Sequence, residues 1–218
     1  MRLAMFPLGN IVLPGEVLPL HVFEPRYRQL VLDCLAGPDG RAGGRPEFGV
    51  ALIERGSEVG GGEERASVAT AARIARVDPL DDGRFALVTI GVRRLSVLEW
   101  LPDDPYPVAD VEDWPDTVDD DDTAHRVAID SLTSRVEDVR ALAVQVAKAA
   151  KQKLPTRSPM SRKLSDDVVL ATYQLAARAP IGPADRYRLL QAPSVAVRIE
   201  LLAESLDDVE AMLQFRLA

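Results

Sequence analysis

Cysteine and histidine are scarce in this sequence of 218 residues, and their scarcity excludes several kinds of site. Cys34 is the single cysteine, so a disulfide within the chain and a metal site with several thiolates are both excluded. The two histidines, His21 and His125, lie far apart in the sequence and do not make a convincing zinc site with one thiol. A Cys34–His21 nucleophile is conceivable, but Cys34 falls on the apolar face of a predicted helix, where cysteine usually acts as a small hydrophobe. We therefore expect no catalytic residue, no cofactor and no metal, and a structural hydrogen-bonding role for His21.

Long apolar runs are absent as well. No stretch approaches the roughly 20 apolar residues that cross a bilayer. The first residues also lack the basic region and long apolar core of a signal peptide. We expect a soluble, cytoplasmic protein that does not bind membranes.

Lysine is rare, and its four copies fall in one segment. Residues 140–163 contain seven basic residues and no acidic one: Arg140, Lys148, Lys151, Lys153, Arg157, Arg162 and Lys163. The segment is either a positive surface for an acidic partner, such as a polypeptide or RNA, or a basic helix C-terminus favoured by the helix dipole. The chain as a whole carries a net charge of −8, and residues 1–117 contain 12 basic and 19 acidic residues. This acidic balance, and the lack of interleaved aromatics, make RNA the weaker partner.

Residues 6–27 carry the strongest local pattern. Four turn-forming residues interrupt this apolar stretch too often for a helix, which indicates two strands around a Pro14-Gly15 turn that needs a positive φ at the glycine. Proline at position 25 suits the first turn of a helix, and the apolar spacing then predicts a helix over 25–36 that ends at Gly37.

The rest of the chain divides into a strand-rich half and a helical half. Further strands are predicted at 48–53, 68–77, 85–90, 93–100 and 108–112, with a mobile glycine-rich loop at 55–65 and a turn at 81–83. Helices are predicted over 123–150, from 183 to about 192, and from a Ser194 cap onward. A further helix is predicted from a Ser165 cap, helped by Asp166 and Asp167, and ends before Pro180. We predict an α+β chain with a β domain over residues 1–117, containing one inserted helix, and a helical bundle over 118–218.

Several motifs resemble one known family. The sequence reads FPL at 6–8, LPG at 13–15, LPLHVFEPRY at 18–27, FGVALI at 48–53, VATAARI at 68–74 and GVRRLSVLEWLPDDPYPVADVE at 91–112. These motifs, in this order, resemble the substrate-binding domain of the Lon proteases, to which the cereblon family is distantly similar. The resemblance implies that the β domain is a PUA-like pseudo-barrel and that the function is non-catalytic polypeptide recognition, in an adaptor or regulator of protein quality control. Its expected partners are unfolded or damaged polypeptides and a separate protease or ATPase.

The catalytic parts of a Lon protease are not expected here. An ATP-binding loop requires a Gly-Lys pair before a helix, and no Gly-Lys pair occurs in the sequence. A Ser-Lys peptidase dyad would need a further domain that the sequence pattern does not show. We therefore expect no enzyme activity. The alternative function is a PUA-like RNA-binding protein that uses the basic segment 140–163.

The resemblance also singles out charged and aromatic residues beside apolar segments. They are Glu24, Arg26, Tyr27, Arg28, Arg93 and Arg94. One interpretation places them in a groove that engages polypeptide. In the other, Glu24 pairs with an arginine and locks the helix against the barrel, because an unpaired buried charge is costly, and Tyr27 is a core aromatic.

Overall fold

The computed structural model describes residues 1–37, 45–56, 64–117, 121–151 and 163–217. Strands fill the first part of the chain and helices the second, which makes this an α+β protein. The chain separates into two compact units, Met1–Pro115 and Asp116–Ala218. Each unit has its own packed interior and is described by itself.

The first unit contains one helix and one six-stranded sheet. Its elements are β1 (Arg2–Leu8), β2 (Val17–Val22), α1 (Pro25–Ala36), β3 (Glu47–Arg55), β4 (Glu64–Pro79), β5 (Phe85–Leu101) and β6 (Val108–Asp113). The strand order is β2-β5-β4-β3-β1-β6, and β6 also pairs with β5. Strands β1, β3, β4, β5 and β6 therefore pair in a closed ring. Among the described residues, β2 stands outside this ring and pairs with β5 alone.

β5 is one long strand, and the prediction of two separate strands in this region was wrong. Its first half pairs with β2 and its second half with β6, while β4 runs along its other side. Gly91 does not break the strand. A Cβ at this position would lie 2.5 Å from the carbonyl oxygen of Leu13. Glycine is thus required for a close approach between two backbones.

The predicted turn at Pro14-Gly15 is confirmed. Gly15 has a φ of +81°, and the Glu16 N–H donates to the Leu13 carbonyl at 3.0 Å. The predicted helix at 25–36 is also confirmed, with proline in its first turn and Gly37 after its end at a φ of +77°. Together these two features fix β2 between a tight turn and a helix start.

Two apolar clusters hold the first unit together. One lies between α1 and the sheet and includes Phe6, Tyr27, Leu30 and Phe48. The other is built mainly from small residues: Met5, Ala51, Ala69, Ala71, Leu95, Ala109 and Val111. A closed ring of five strands is narrow inside, so alanines fill it without overpacking.

The second unit consists of α2 (Asp122–Ala149), α3 (Val168–Arg178), α4 (Pro183–Gln191) and α5 (Val195–Leu217). Ser194 caps α5 as predicted, because its Oγ accepts from the Val197 N–H at 3.3 Å. The predicted Ser165 cap was wrong: Asp167 caps α3 by accepting from the Leu170 N–H at 3.0 Å. The Ser165 Oγ instead accepts from the Asp167 N–H, so serine positions the residue that acts as the cap.

A fully buried arginine organises these helices. The guanidinium of Arg198 lies 3.8 Å from the ring centroid of Tyr173 and 2.7 Å from Asp116 Oδ1, and it also donates to Thr172 Oγ1 at 3.0 Å. Such a charge is stable only because its partners are in place. In the described parts of the chain, no helix is long and apolar enough to cross a membrane.

Candidate functional site

A pocket of about 220 Å³ opens in the first unit beside the end of β1, the edge strand β2 and the start of α1. Its lining residues are Phe6, Leu8, Pro19, Leu20, His21, Val22, Phe23, Glu24 and Tyr27. The pocket is smaller than the roughly 300–1,000 Å³ of most small-molecule sites. It has room for one or two large side chains.

The pattern of β2 explains the apolar lining. Side chains alternate between the two faces of a strand. Leu20 is half-buried and Val22 is buried, whereas Pro19, His21 and Phe23 are exposed. Phe23 keeps 54% of its surface exposed, which is unusual for an aromatic residue between a strand and a helix. Both rows of side chains reach the pocket, because it lies at the edge of the strand rather than over one face.

The floor and one wall of the pocket are firmly packed. The rings of Phe6 and Tyr27 stack with centroids 4.1 Å apart, and the Arg26 guanidinium lies 4.5 Å from the Tyr27 centroid. The Glu24 Oε2 accepts from the Arg26 Nε at 3.1 Å. The carboxylate at the rim is therefore neutralised, so the pocket favours an apolar occupant over a charged one.

Among the described residues, the backbone of β2 pairs with a strand on one side only. Gly91 N–H donates to the Glu16 carbonyl at 2.9 Å, and Thr89 Oγ1 donates to the Leu18 carbonyl at 3.0 Å. Since carbonyls alternate in direction along a strand, the backbone polar groups of Val17, Pro19 and His21 point to the opposite edge. The part of the chain that the structure describes places no strand along that edge.

The structure brings together three of the six residues singled out by the sequence. Glu24 and Tyr27 line the pocket, and Arg26 lies against both. Arg28 follows on α1, but its guanidinium lies over the β4–β5 turn, 2.6 Å from where a Cβ on Gly83 would be.

Arg93 and Arg94 lie on β5 with other partners. Arg93 pairs with Glu47, and its Nε donates to Asp113 Oδ1 at 2.7 Å. Burial alone would raise the pKa of Glu47, but hydrogen bonds and charge from Arg93 and Arg73 outweigh it and hold this pKa below its ordinary value.

Arg94 is only 4% exposed. Its guanidinium lies 4.2 Å from the Trp114 centroid, and its Nε donates to the Trp114 carbonyl at 2.9 Å. These contacts tie β5 to the segment that follows β6. The predicted binding roles of Arg93 and Arg94 stay predictions, and their contacts favour the structural interpretation.

Four of the seven basic residues of segment 140–163 can be located, and the first of them, Arg140, lies on α2. Lys148 is exposed in the last turn of α2, Lys151 follows that helix, and Lys163 Nζ lies 3.1 Å from Asp166 Oδ1. Lys153, Arg157 and Arg162 lie outside the described residues. The predicted role of the segment in binding an acidic partner stays a prediction.

Cys34 is not poised for nucleophilic chemistry. Its Sγ donates to the Glu47 carbonyl at 3.5 Å, and burial, with a smaller effect of Asp33, raises the pKa of the thiol to about 12. The thiolate is the nucleophilic form of cysteine, so a high pKa opposes reactivity. His21 is exposed and lines the pocket. Over the described ranges, no cluster of three or more metal-binding side chains occurs.

Comparison with known proteins identifies the family. Residues 2–208 match the model of the ATP-dependent protease La (LON) substrate-binding domain. The chain belongs to this family. Lon protease of Anaeromyxobacter dehalogenans aligns with 94% of this chain, at 25% identity. A Lon protease of Flavobacterium johnsoniae is 27% identical over 67% of the chain.

Solved structures show the same fold. A Lon N-terminal domain protein from Xanthomonas campestris matches with a TM-score of 0.62 and 29% identity, covering 94% of this chain and 98% of that one. The N-terminal domain of Mycobacterium avium complex Lon protease matches with a TM-score of 0.61 at 18% identity, over 95% and 99% of the two chains. The second likeness supports the fold alone.

The matched part of the curated relatives is small. The chain spans 23% of the Anaeromyxobacter protease and 16% of the Flavobacterium protease. These matches concern the Lon substrate-binding domain, so catalytic activity is not expected of the residues compared. The fold suggests polypeptide recognition, and nothing in these comparisons supports the alternative of RNA binding.

Sequence reasoning missed most of the pocket. Leu8, Leu20 and Phe23 read as ordinary strand residues, and His21 was assigned a structural role. One signal was available: β2 has apolar residues on both of its faces, which is unusual for a strand at the edge of a sheet.

Proposed function

We propose that this chain is a non-catalytic module that binds unfolded or damaged polypeptides at the β2–α1 pocket. The proposal includes a PUA-like β pseudo-barrel over 1–117 and a helical bundle over 118–218. It further includes cytoplasmic action as an adaptor or regulator in protein quality control, beside a separate protease or ATPase. The role beside a protease or ATPase rests on analogy, because the family is named after an ATP-dependent protease.

One observation carries the proposal: in a domain of a substrate-binding family, a small apolar pocket lies against a strand edge along which no described strand pairs. A folded protein buries the large apolar side chains that such a pocket accepts, and it also pairs its own backbone. An unfolded chain exposes both its large apolar side chains and its unpaired backbone groups. Selectivity for unfolded chains then follows without any demand for a particular sequence.

The residues in this proposal have different tasks. Phe23 supplies an exposed aromatic surface, while Tyr27 and the Glu24–Arg26 pair form a fixed wall behind the occupant. Arg28 does not line the pocket, and its guanidinium lies over the β4–β5 turn. The lysines and arginines of segment 140–163 are a second candidate surface, for an acidic partner, and none of them is among the described residues that line the pocket.

The test is capture of one model protein in its native and its permanently unfolded form. We expect the chain to retain the unfolded form, and Phe23→Ser to weaken its binding by about tenfold or more, as for other aromatic anchors. Leu98→Ser is the matched control, because Leu98 is 61% exposed on β5 and does not line the pocket. Equal capture of the native and unfolded forms would refute the proposal.

A further inference from the structure

We infer that this site binds its clients by strand addition: an extended apolar segment of another polypeptide lies antiparallel to β2 and continues the sheet. This inference rests on the proposed function and specifies how the client is held. It concerns the backbone of the client, which capture of an unfolded protein does not test.

The first support is the space beside β2. The pocket is bounded on one side by the open edge of β2 and on the other by Phe6 and Leu8 of β1. Strand β1 itself pairs with β6 over Arg2–Ala4 and with β3 over Met5–Leu8, so Phe6 and Leu8 bound the pocket with apolar side chains. The pocket thus lies between the open edge of β2 and an apolar wall. An extended apolar segment is the chemical complement of such a gap.

The second support is the direction in which the backbone groups and the side chains of β2 point. The backbone groups of Val17, Pro19 and His21 point to the open edge, while the side chains of Leu20 and Val22 point into the unit. In an antiparallel pair, residues directly opposite each other place their side chains on the same face. Client residues that bond to β2 therefore lie on the exposed face. The residues between them place their side chains on the face of Leu20 and Val22, in the inner part of the pocket that Phe6 and Tyr27 close.

Pro19 limits how many hydrogen bonds the edge can form. It has a carbonyl but no N–H, and its position on the open edge is where a strand tolerates proline. Val17 and His21 offer both groups, so one client carbonyl opposite Pro19 has no donor. Pro19→Ala supplies the missing donor. We expect this variant to bind an extended client about two- to tenfold more tightly, the effect of one net hydrogen bond.

The occupant of the pocket is apolar. The lining is dominated by aliphatic and aromatic side chains, and its one carboxylate, Glu24, is already neutralised by Arg26. A charged client side chain would lose its hydration there without gaining a partner. The client is therefore a segment in which large apolar residues alternate with others.

The experiment uses the full chain and a short peptide in which leucine and threonine alternate. Two derivatives carry backbone N-methyl groups, one on every threonine and the other on every leucine. With leucines in the pocket, the threonine N–H groups point to β2, so we expect the threonine-methylated peptide to bind at least tenfold more weakly than the parent. The leucine-methylated peptide should keep most of the affinity. Pro19→Ala is compared with Pro102→Ala, which removes an exposed proline from a turn outside the pocket.

The possible failures are distinguishable. Equal binding of the two methylated peptides, or no gain in affinity from Pro19→Ala in a variant that melts like the parent, would overturn strand addition. A reversed order, with the leucine-methylated peptide weakened, would overturn the antiparallel arrangement. If neither the parent peptide nor an unfolded protein binds the wild-type chain, the proposed function itself fails.

Discussion

Gly91→Ala is the most incisive test of how the turn before β2 is held. A Cβ on residue 91 would lie 2.5 Å from the Leu13 carbonyl oxygen and 3.1 Å from the Leu13 carbonyl carbon. The nearest atoms are backbone, so no side-chain rotation can relieve the clash. Ordinary contact begins near 3.4 Å, and the two backbones must therefore separate by about 0.9 Å.

The cost follows from what holds these backbones together. Gly15 N–H donates to the Gly91 carbonyl at 2.8 Å, and Gly91 N–H donates to the Glu16 carbonyl at 2.9 Å. A separation of this size lengthens both bonds past useful range, at about 1 kcal/mol each, and overpacking adds about 1–3 kcal/mol. We expect Gly91→Ala to lower the free energy of unfolding of the first unit by about 3–5 kcal/mol. Since the turn leads into β2, client binding should weaken as well.

Gly182→Ala is the matched control, because it adds the same methyl group and the nearest atom is Asp185 Oδ2 at 3.9 Å. Its effect should be within about 1 kcal/mol. Hydrogen exchange of β2 and β5 amides measures the change in the unit concerned, even if the two units unfold separately. Protection in β2 that is unchanged by Gly91→Ala would show that the close approach of Leu13 and Gly91 does not hold the turn.

Three further predictions concern the ionised and titrating side chains. Arg198→Met should destabilise the helical unit by about 3–5 kcal/mol by leaving Asp116 buried without its cation, whereas Arg188→Met, at a half-exposed position, should cost under about 0.5 kcal/mol. An equal loss of hydrogen-exchange protection of the α3 and α5 amides in the two variants would contradict this prediction. The pKa of Glu47 is lower in the folded chain than its ordinary value of 4.5, so the ion pairs of Glu47 stabilise the fold fully at pH values above 4.5. This stabilisation is lost as the pH falls through the lower pKa of the folded state. The difference in melting temperature between wild type and Glu47→Gln should therefore be larger at pH 7 than at pH 3; a constant difference would argue against the ion pairs. Cys34 should react with iodoacetamide about a thousandfold more slowly than a free thiol at pH 8, because its pKa rises from 9.0 to about 12; a rate close to that of the unfolded chain would contradict the burial.

Local patterns were sufficient for most of the fold. The helix over 25–36, the turn at Gly15 and the cap at Ser194 depend on residues within one turn of each other, so sequence spacing predicts them well. The long β5 was predicted less well. Gly91 looks like a break in the sequence, but its role depends on Leu13, which lies far away along the chain. No local pattern reports such a contact.

The candidate site was less accessible to sequence reasoning for a similar reason. Glu24, Arg26 and Tyr27 were singled out, because charges between apolar residues are conspicuous. Whether a charged side chain has a partner depends on the tertiary structure. Arg93, for example, forms ion pairs with Glu47 and Asp113 from two other strands. The pocket residues are apolar and look like core. Only the strand order shows that β2 lies at an edge.

An open, apolar strand edge is hazardous, because a second copy of the same chain could pair with it as readily as a client does. Two features of β2 reduce this hazard. Pro19 removes one donor from the middle of the edge, and the strand is only six residues long, so a continuous ladder with another edge is short and interrupted. A client segment loses less from the missing donor, because apolar side chains in the pocket add to its binding. The same proline therefore weakens pairing between flat edges more than it weakens pairing with an extended segment that fills the pocket. On this argument, selectivity at the site comes from combining an incomplete edge with a pocket, and neither feature alone would provide it.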